Sequence, residues 1–493
     1  MKYILALDQS TSNTKAMLFD EAGILIHRTD VPHRQIIPRS GWVEHDAAEI
    51  YRNTRKAVQN LLSETSVAAE AIAGVGISNQ RETGLIWSRA TGEPLYHAVV
   101  WQCSRGESVC QDPEIQKSRS RILEVTGLNL SPYFTAAKFG WLIQNVPEIA
   151  EAAAAGDALC GTMDSWLIYK LTGGKVFKTD HSNASRTQLF DIKRLQWDEQ
   201  ICRLFGLSSA MLPEPCPSDS SFGETDFDGL LPHPVPIHSV LGDSHGALFG
   251  QNCRKPGMVK ATYGTGSSVA MNIGTQPILP RDGIVTSVAW TAGGETQYEI
   301  EGNINYTGAV IKWLVEDLGL LHSSKEAGPL AAAASADDQT YLVPAFTGLG
   351  APYWDSAARA VLCGMSSSTG KAEIVRAAEE CIAYQIADVL HSMEDVSGIS
   401  IQSLRADGGP TKDAFLMQFQ SDILEIPVFA SQTEEFSGLG AAYLCGIAMG
   451  LYPDDLMEQL RHTPYRPSMD GQLRAQKYAG WKGALKKAFS DAQ

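Results

Sequence analysis

LALDQSTSNTKAMLFD, residues 5–20, places a polar turn between two apolar runs. With the residues on either side, YILALDQSTSNTKAMLFDEAGILI predicts strand, polar turn, strand, glycine turn, strand. About half a chain later PGMVKATYGTGSSVAMNIG predicts strand, glycine-rich turn, strand. Apolar residues at helical spacing follow each hairpin, in EHDAAEIYRNTRKAVQNLLSE and in AEIVRAAEECIAYQIADVLHSM. The repeated order predicts two α/β domains of related plan, residues 1–246 and 247–493, with the seam in GDSHGALFG (242–250). Alanine runs at 151–157 and 329–339 read as plain helix. The proline-rich MLPEPCPSDS (211–220) reads as an extended surface loop.

Composition narrows the partners. A chain of 493 residues outgrows a single core, and 44% hydrophobic with 19% charged residues is ordinary for a globular protein. A formal charge of -16 argues against nucleic acid or an anionic membrane, though one basic pocket for a phosphate is compatible with it. Nine cysteines, odd in number and without a CxxC pair, point to reduced thiols in the cytosol. The apolar run before Asp8 is too short for a signal peptide or a membrane span, so a cytoplasmic protein is expected.

Against that background the turns acquire chemistry. Asp8, Thr11, Ser12 and Asn13 either serve a tight bend or cradle a phosphate and its metal. In ATYGTGSSVAMN, Gly264 and Gly266 let an anion approach backbone N–H groups, beside the hydroxyls of Thr262, Thr265 and Ser267. Alone this is a hairpin turn; with the first turn it predicts two hairpins closing on one polyphosphate. LRADGGPTKDAFLMQFQSDIL runs from a strand through Gly408 and Gly409 into a helix beginning near Asp413, which is either a nucleotide seat or an ordinary strand-to-helix loop. The absence of GxxxxGK[ST] and GxGxxG removes the P-loop and Rossmann readings. Arg81 and Glu82 end a buried strand in GISNQRETGLIW, and Trp101 ends another in HAVVWQCSR. They form a surface ion pair worth under about 1 kcal/mol or, beside Trp101 and Tyr133, a pocket that reads hydroxyl groups. Asp243 is a lone carboxylate at the seam or the cap of the helix that follows.

ALDQSTS, GWVEHD, NQRET, VVWQC, YFTAAKFGWLIQN, NASRT, GDSHGALFG, TYGTG, VPAFTGLGAPYWD, DGG, FLMQFQSDIL and LGAAYLCG occur in this order along nearly the whole chain, which thereby resembles the FGGY carbohydrate kinases and, within them, the glycerol kinase branch. The resemblance implies an actin-like fold of two ribonuclease-H-like cores around a central cleft, with ATP and Mg²⁺ as cofactors, a small polyol or sugar as substrate, and a homo-oligomer. It makes Asp8 the organiser of Mg²⁺ and Asp243 the general base. It makes Thr11, Ser12, Asn13 and Lys15 the first phosphate loop and Gly264 and Thr265 the second, with Gly308, Lys312, Gly409 and Asp413 seating the nucleotide. Arg81, Glu82, Trp101, Tyr133, Asp243, Ser244 and Ser268 would line the acceptor pocket. The chain departs from the family at Ser10 (glycine), Asp413 (asparagine), Ser244 (glutamine) and Ser268 (phenylalanine). LLPHPVPIH also lacks the Gly-Gly-Thr-Arg loop through which bacterial members bind a sugar bisphosphate. The expected activity is ATP-dependent phosphorylation of a terminal polyol hydroxyl, with a longer polyol or ketose as the alternative acceptor. An actin-like nucleotide switch would not need the acceptor residues. An idle sugar sensor would have lost Asp8 or Asp243.

Overall fold

A computed structural model describes residues 1–279 and 283–490. Its first sheet contains β1 (Tyr3–Gln9), β2 (Asn13–Phe19), β3 (Leu25–Pro32), β4 (Ile72–Asn79) and β5 (Val235–Gly242), in the order β5-β4-β1-β2-β3 with a two-residue edge strand, Glu224–Thr225, outside β5. The second contains β6 (Met258–Tyr263), β7 (Ser267–Gly274), β8 (Val285–Ala292), β9 (Glu295–Ile304), β10 (Ser403–Asp407), β11 (Val428–Ser431) and β12 (His462–Tyr465), in the order β8-β9-β7-β6-β10-β11-β12. The two share a plan. In each, three neighbouring antiparallel strands (β1-β2-β3; β6-β7-β9, with β8 inserted in sequence between β7 and β9) are extended on the first strand by two parallel strands (β4 and β5; β10 and β11).

The helices that matter for the site are α1 (Ala47–Glu64), α2 (Thr135–Asn145), α3 (Asp243–Gly250), α4 (Gly308–Glu316), α5 (Lys371–Ser397), α6 (Ala414–Leu424), α7 (Phe436–Ala448) and α8 (Gly471–Ala488). Strand alternation sorts β1 between two of them. Leu5 and Leu7 join Ile50, Val58 and Leu61 of α1, whereas Ile4 and Ala6 join Phe436, Leu439 and Tyr443 of α7. A strand covered on both faces reads as an unbroken apolar run, as LALD does. On the second sheet Val259, Ala261 and Tyr263 face Val375, Ala378 and Ile382 of α5. Ala270 and Ala289 face α3 through Ala247 and Leu248.

The helices are therefore crossed. α3 leaves the first sheet to lie on the second, and α7 leaves the second to lie on the first. They meet where neither has a side chain: a Cβ on Gly440 would stand 1.9 Å from the carbonyl oxygen of Gly246. Among the described residues no helix is long and apolar enough to cross a membrane.

Two local expectations need correction. Residues 211–220 are not a surface loop: Glu214–Cys216 is a short strand paired with Lys178–Asp180, and Met211, Leu212, Cys216 and Ser218 are buried. The Ser218 hydroxyl donates to Asp180 at 2.7 Å, which is what draws the segment inward. Of the second alanine run, only the part within Ala327–Ala332 is helical.

Candidate active site

Both sheets border one cavity of about 750 Å³, whose lining includes Asp8, Lys15, Asp243, Asp407, Gly409 and Glu435; Ser10 of the first turn and Thr262, just before the second, reach it, whereas Gly264 and Thr265 do not. Asp8 lies near the end of β1 opposite Lys15 of β2. It is 3% exposed, and its Oδ1 has no hydrogen-bond partner. Burial pushes its carboxyl above the ordinary range, against the pull of Lys15 at 3.4 Å. A carboxylate that lines a cleft and has an oxygen to spare has the chemistry to hold a hard cation. Among the described residues no group of three His, Cys, Asp or Glu side chains converges to hold a metal. Mg²⁺ fits Asp8 on terms that leave most of its coordination to water and phosphate oxygens.

Glu435 enters from the other half. It precedes α7 with φ at +68°, and its carboxylate binds Lys15 and, at 2.5 Å, Arg28. Asp407 ends β10, accepts a hydrogen bond from Gln251, and is pushed by burial up to about 6. The glycine after it is obligatory: Gly408 has φ +98°, and a Cβ there would meet the Tyr263 carbonyl oxygen at 2.0 Å.

The first turn holds itself together. Ser10 Oγ donates to the Asn13 side chain at 2.5 Å and keeps φ outside the left-handed region, so the turn forms without a glycine there. Thr11 Oγ1 accepts the indole N–H of Trp101 at 2.9 Å, and the Ser12 carbonyl accepts from His33 N at 3.1 Å. In the second turn Gly264 N–H closes the hairpin onto Gly266 O, while Gly264 O receives Gly308 N–H at 2.9 Å. The turn thus docks on the first residue of α4. Lys312, one turn further on, is 65% exposed and pairs with Glu316, away from the cavity lining. Asp413 caps α6, accepting from Phe415 N at 2.8 Å and Leu416 N at 3.2 Å.

Arg81 and Glu82 are buried and not paired with each other. Arg81 reaches Glu301 at 3.0 and 2.7 Å and Asp243 at 3.1 Å. Glu82, with φ +58°, meets Arg186 at 2.5 Å. Burial opposes ionisation of Glu301, but the guanidiniums of Arg81 and Arg186 hold its carboxyl well below the usual range. A ring of contacts results. Asp243 meets Arg81, Arg81 meets Glu301, Ser268 Oγ donates to Glu301 at 3.0 Å, Ser268 Oγ lies 3.1 Å from Ser244 Oγ, and Ser244 N–H returns to Asp243 at 2.7 Å. Asp243 is the first residue of α3, and besides Arg81 its side chain accepts from the Ser244 main-chain N–H, a contact within the helix's first two residues and no N-cap. Trp101 and Tyr133 meet edge to face at 5.6 Å beside the ring, and burial raises the Tyr133 phenol.

Glu301 and Arg186 were not anticipated as site residues. The available signal for Glu301 was ETQYEIEGNI, whose alternate positions Glu295, Gln297, Glu299, Glu301 and Asn303 make one face of the strand polar, although Glu299 and Glu301 are buried. Lys260, 1% exposed and 3.3 Å from both Ser268 Oγ and Thr262 Oγ1, gave no signal beyond being charged in mid-strand.

Comparison with known proteins bears on this arrangement. Residues 3–250 match the N-terminal domain and residues 259–449 the C-terminal domain of the FGGY family of carbohydrate kinases. The chain is 45% identical over 494 residues to glycerol kinase 1 of Thermotoga maritima, covering 99% of this chain and 100% of that one. It is 42% identical to the glycerol kinase of Carboxydothermus hydrogenoformans over 99% of its length and 98% of the relative's. Its structure superposes on Plasmodium falciparum glycerol kinase with ADP at a TM-score of 0.93, 35% identity, and coverage of 100% and 99%. A xylulose kinase of Lactobacillus acidophilus, 21% identical with a TM-score of 0.87 over 99% and 98% of the chains, shares the fold.

Proposed function

The chain belongs to the FGGY family of carbohydrate kinases, and from that premise we propose that it transfers the γ-phosphoryl group of ATP to a terminal hydroxyl of glycerol. Its two domains are the actin-like ATPase pair of that family. The observation that carries the proposal is Asp243: a carboxylate 36% exposed to the cavity that also holds Asp8 and Lys15, and tied by Arg81 to the buried acceptor side.

Arg81, Glu82, Trp101 and Tyr133 hold the acceptor with its terminal hydroxyl toward Asp243. Asp243 takes that proton while the hydroxyl oxygen bonds the γ-phosphorus and the bond from phosphorus to the β,γ-bridging oxygen breaks, leaving ADP. Bound Mg²⁺ supplies charge neutralisation for the phosphate oxygens. Asp8 would hold it, and Lys15 would meet phosphate beside it. Thr11, Ser12 and Asn13 shape the first loop, Gly264 and Thr265 the second, and Gly308, Gly409 and Asp413 flank the nucleotide, while Lys312, turned to Glu316 outside the cavity, is left out of the seat.

Asp243→Asn tests the reading, because it keeps the shape and the contact to Arg81 but removes the base. Turnover is expected to fall by about 10²–10⁴-fold with melting temperature and ADP binding little changed. Near wild-type turnover would remove Asp243 from the mechanism.

A second acceptor reading rests on Ser244 and Ser268. Their hydroxyls, 3.1 Å apart with Lys260 beside them, make a polar wall on which a hydroxyl of a four- or five-carbon polyol or ketose can be read. Polar groups built to meet a substrate hydroxyl discriminate far more than a spare methylene, which is worth about 1–3 kcal/mol. Comparing kcat/KM for glycerol with erythritol, threitol, xylitol and xylulose separates the two: a glycerol lead above about tenfold, roughly 1.4 kcal/mol, leaves glycerol as the acceptor.

A further inference from the structure

The first turn of α2 contains a charge that helix electrostatics disfavours. Lys138 lies near the positive end of the helix, where cations are unfavourable, and it has no solvent exposure. A buried ammonium is expensive unless it is fully hydrogen-bonded. Here its three N–H groups go to three consecutive main-chain carbonyls: Pro132 at 2.9 Å, Tyr133, and Phe134 at 3.2 Å. The number of donors on an ammonium matches the number of acceptors.

Those carbonyls belong to the turn that carries Tyr133. Ser131 Oγ accepts from Tyr133 N at 3.2 Å, and Phe134, the residue before the helix, supplies no side-chain cap. Outward from this crown, the Tyr133 ring meets Trp101, and the Phe134 ring lies 5.3 Å from the Arg186 guanidinium that holds Glu82. One residue on, Thr135 Oγ1 donates to the Glu82 carbonyl at 3.1 Å. The turn therefore touches the acceptor side at three points, and Lys138 is its centre.

We propose that Lys138 is a positioning residue for the acceptor: its ammonium gathers the carbonyls of residues 132–134 and so sets the angle at which Tyr133 enters the pocket. This rests on the reading of Tyr133 as an acceptor contact. Burial draws the Lys138 ammonium down to about 7, opposed by Glu82, Cys103 and Cys110, the titratable groups that face it. A neutral amine has two donors and a lone pair, and the lone pair would then face a carbonyl. The crown loosens as pH rises.

Calorimetric titration of glycerol and, separately, ADP into the full-length enzyme between about pH 6 and about pH 9 tests this, with Lys138→Met, Lys138→Arg and Tyr133→Ala alongside. In the wild type, glycerol affinity is expected to weaken as pH passes about 7 while ADP affinity stays level. Lys138→Met should bind glycerol about tenfold or more weakly, with a flat pH profile, since small misplacement of a binding group is costly. Lys138→Arg keeps its charge and should bind better than Lys138→Met, without the pH limb. A folded Lys138→Met variant with glycerol affinity within about twofold of wild type overturns the proposal. Should Lys138→Met give no cooperative melt, the wild-type titration decides, and a glycerol affinity that does not change with pH overturns it. If Tyr133→Ala leaves glycerol binding unchanged, the reading of the acceptor site falls; if Tyr133→Ala weakens it and Lys138→Met does not, only the role of Lys138 falls.

Discussion

Asp8 and Asp243 line one cavity under opposite conditions: Asp8 is sealed in with an unpartnered oxygen, while Asp243 is open to the cleft and held by Arg81. Their losses should differ accordingly. Asp8→Ala removes the cation ligand and leaves the Arg81 and Glu82 clamps untouched, so Mg²⁺-dependent turnover is expected to vanish while glycerol binding, measured by calorimetry, stays within about twofold of wild type. A parallel loss of acceptor affinity would show that the two sites are not separable. At this scale the sequence was most informative about residues in turns. Asp8, Gly408 and Asp243 could be singled out because strand ends followed by polar or glycine residues have a limited set of uses. Glu301 and Arg186 lie about 220 and 100 positions from the residues they clamp. Only the folded pairing of distant segments tells such a charge from a solvated one.

Helix α5 illustrates what an element can hide. Its amphipathic pattern made the helix legible, but Glu379 sits on the apolar side, 2% exposed, with Oε2 unpartnered. Burial, reinforced by the charge of Asp413, raises its carboxyl to about 8. An acid held above its unfolded value of about 4.3 is neutral in the fold, so its ionisation costs stability progressively between that value and about 8. Stability from this group is thus lost as pH rises. Glu379→Gln, which cannot ionise, is expected to raise the melting temperature at pH 8 clearly more than at pH 5; equal shifts at both would mean the carboxyl is not the cause. The proline-rich 211–220 segment erred in the other direction. Its composition reads as a loop, but the Asp180 carboxylate that accepts from Ser218 lies on another element and outweighs local preference.

The duplicated plan was visible in the hairpins, but the crossing of α3 and α7 was not, because nothing local states which sheet a helix will cover. GDSHGALFG and FSGLGAAYLCG carry small residues, and the reason for them is the Gly246–Gly440 contact. In a helix, alanine is worth about 1 kcal/mol over glycine. At Gly440 the new Cβ would collide with a main-chain oxygen 1.9 Å away, which cannot rotate aside. Overpacking of that kind costs about 1–3 kcal/mol or more, so the clash outweighs the propensity gain. Gly440→Ala is expected to lower both melting temperature and kcat, whereas Gly471→Ala, with nothing within 4 Å, should change neither appreciably. An unchanged Gly440→Ala enzyme would mean the helices can separate freely.

The same crossing fixes an order of events during translation. The strands of the first sheet and α1 leave the ribosome within the first 242 residues, and the inner face of β1 and β2 then carries Ile4, Ala6, Met17 and Phe19 with no helix of their own half to cover it. Their cover, α7, begins at Phe436, nearly two hundred residues later. Until then the nascent chain presents an apolar strip to solvent, and chaperone occupancy on the growing polypeptide is expected to persist until the last tenth of the message has been read.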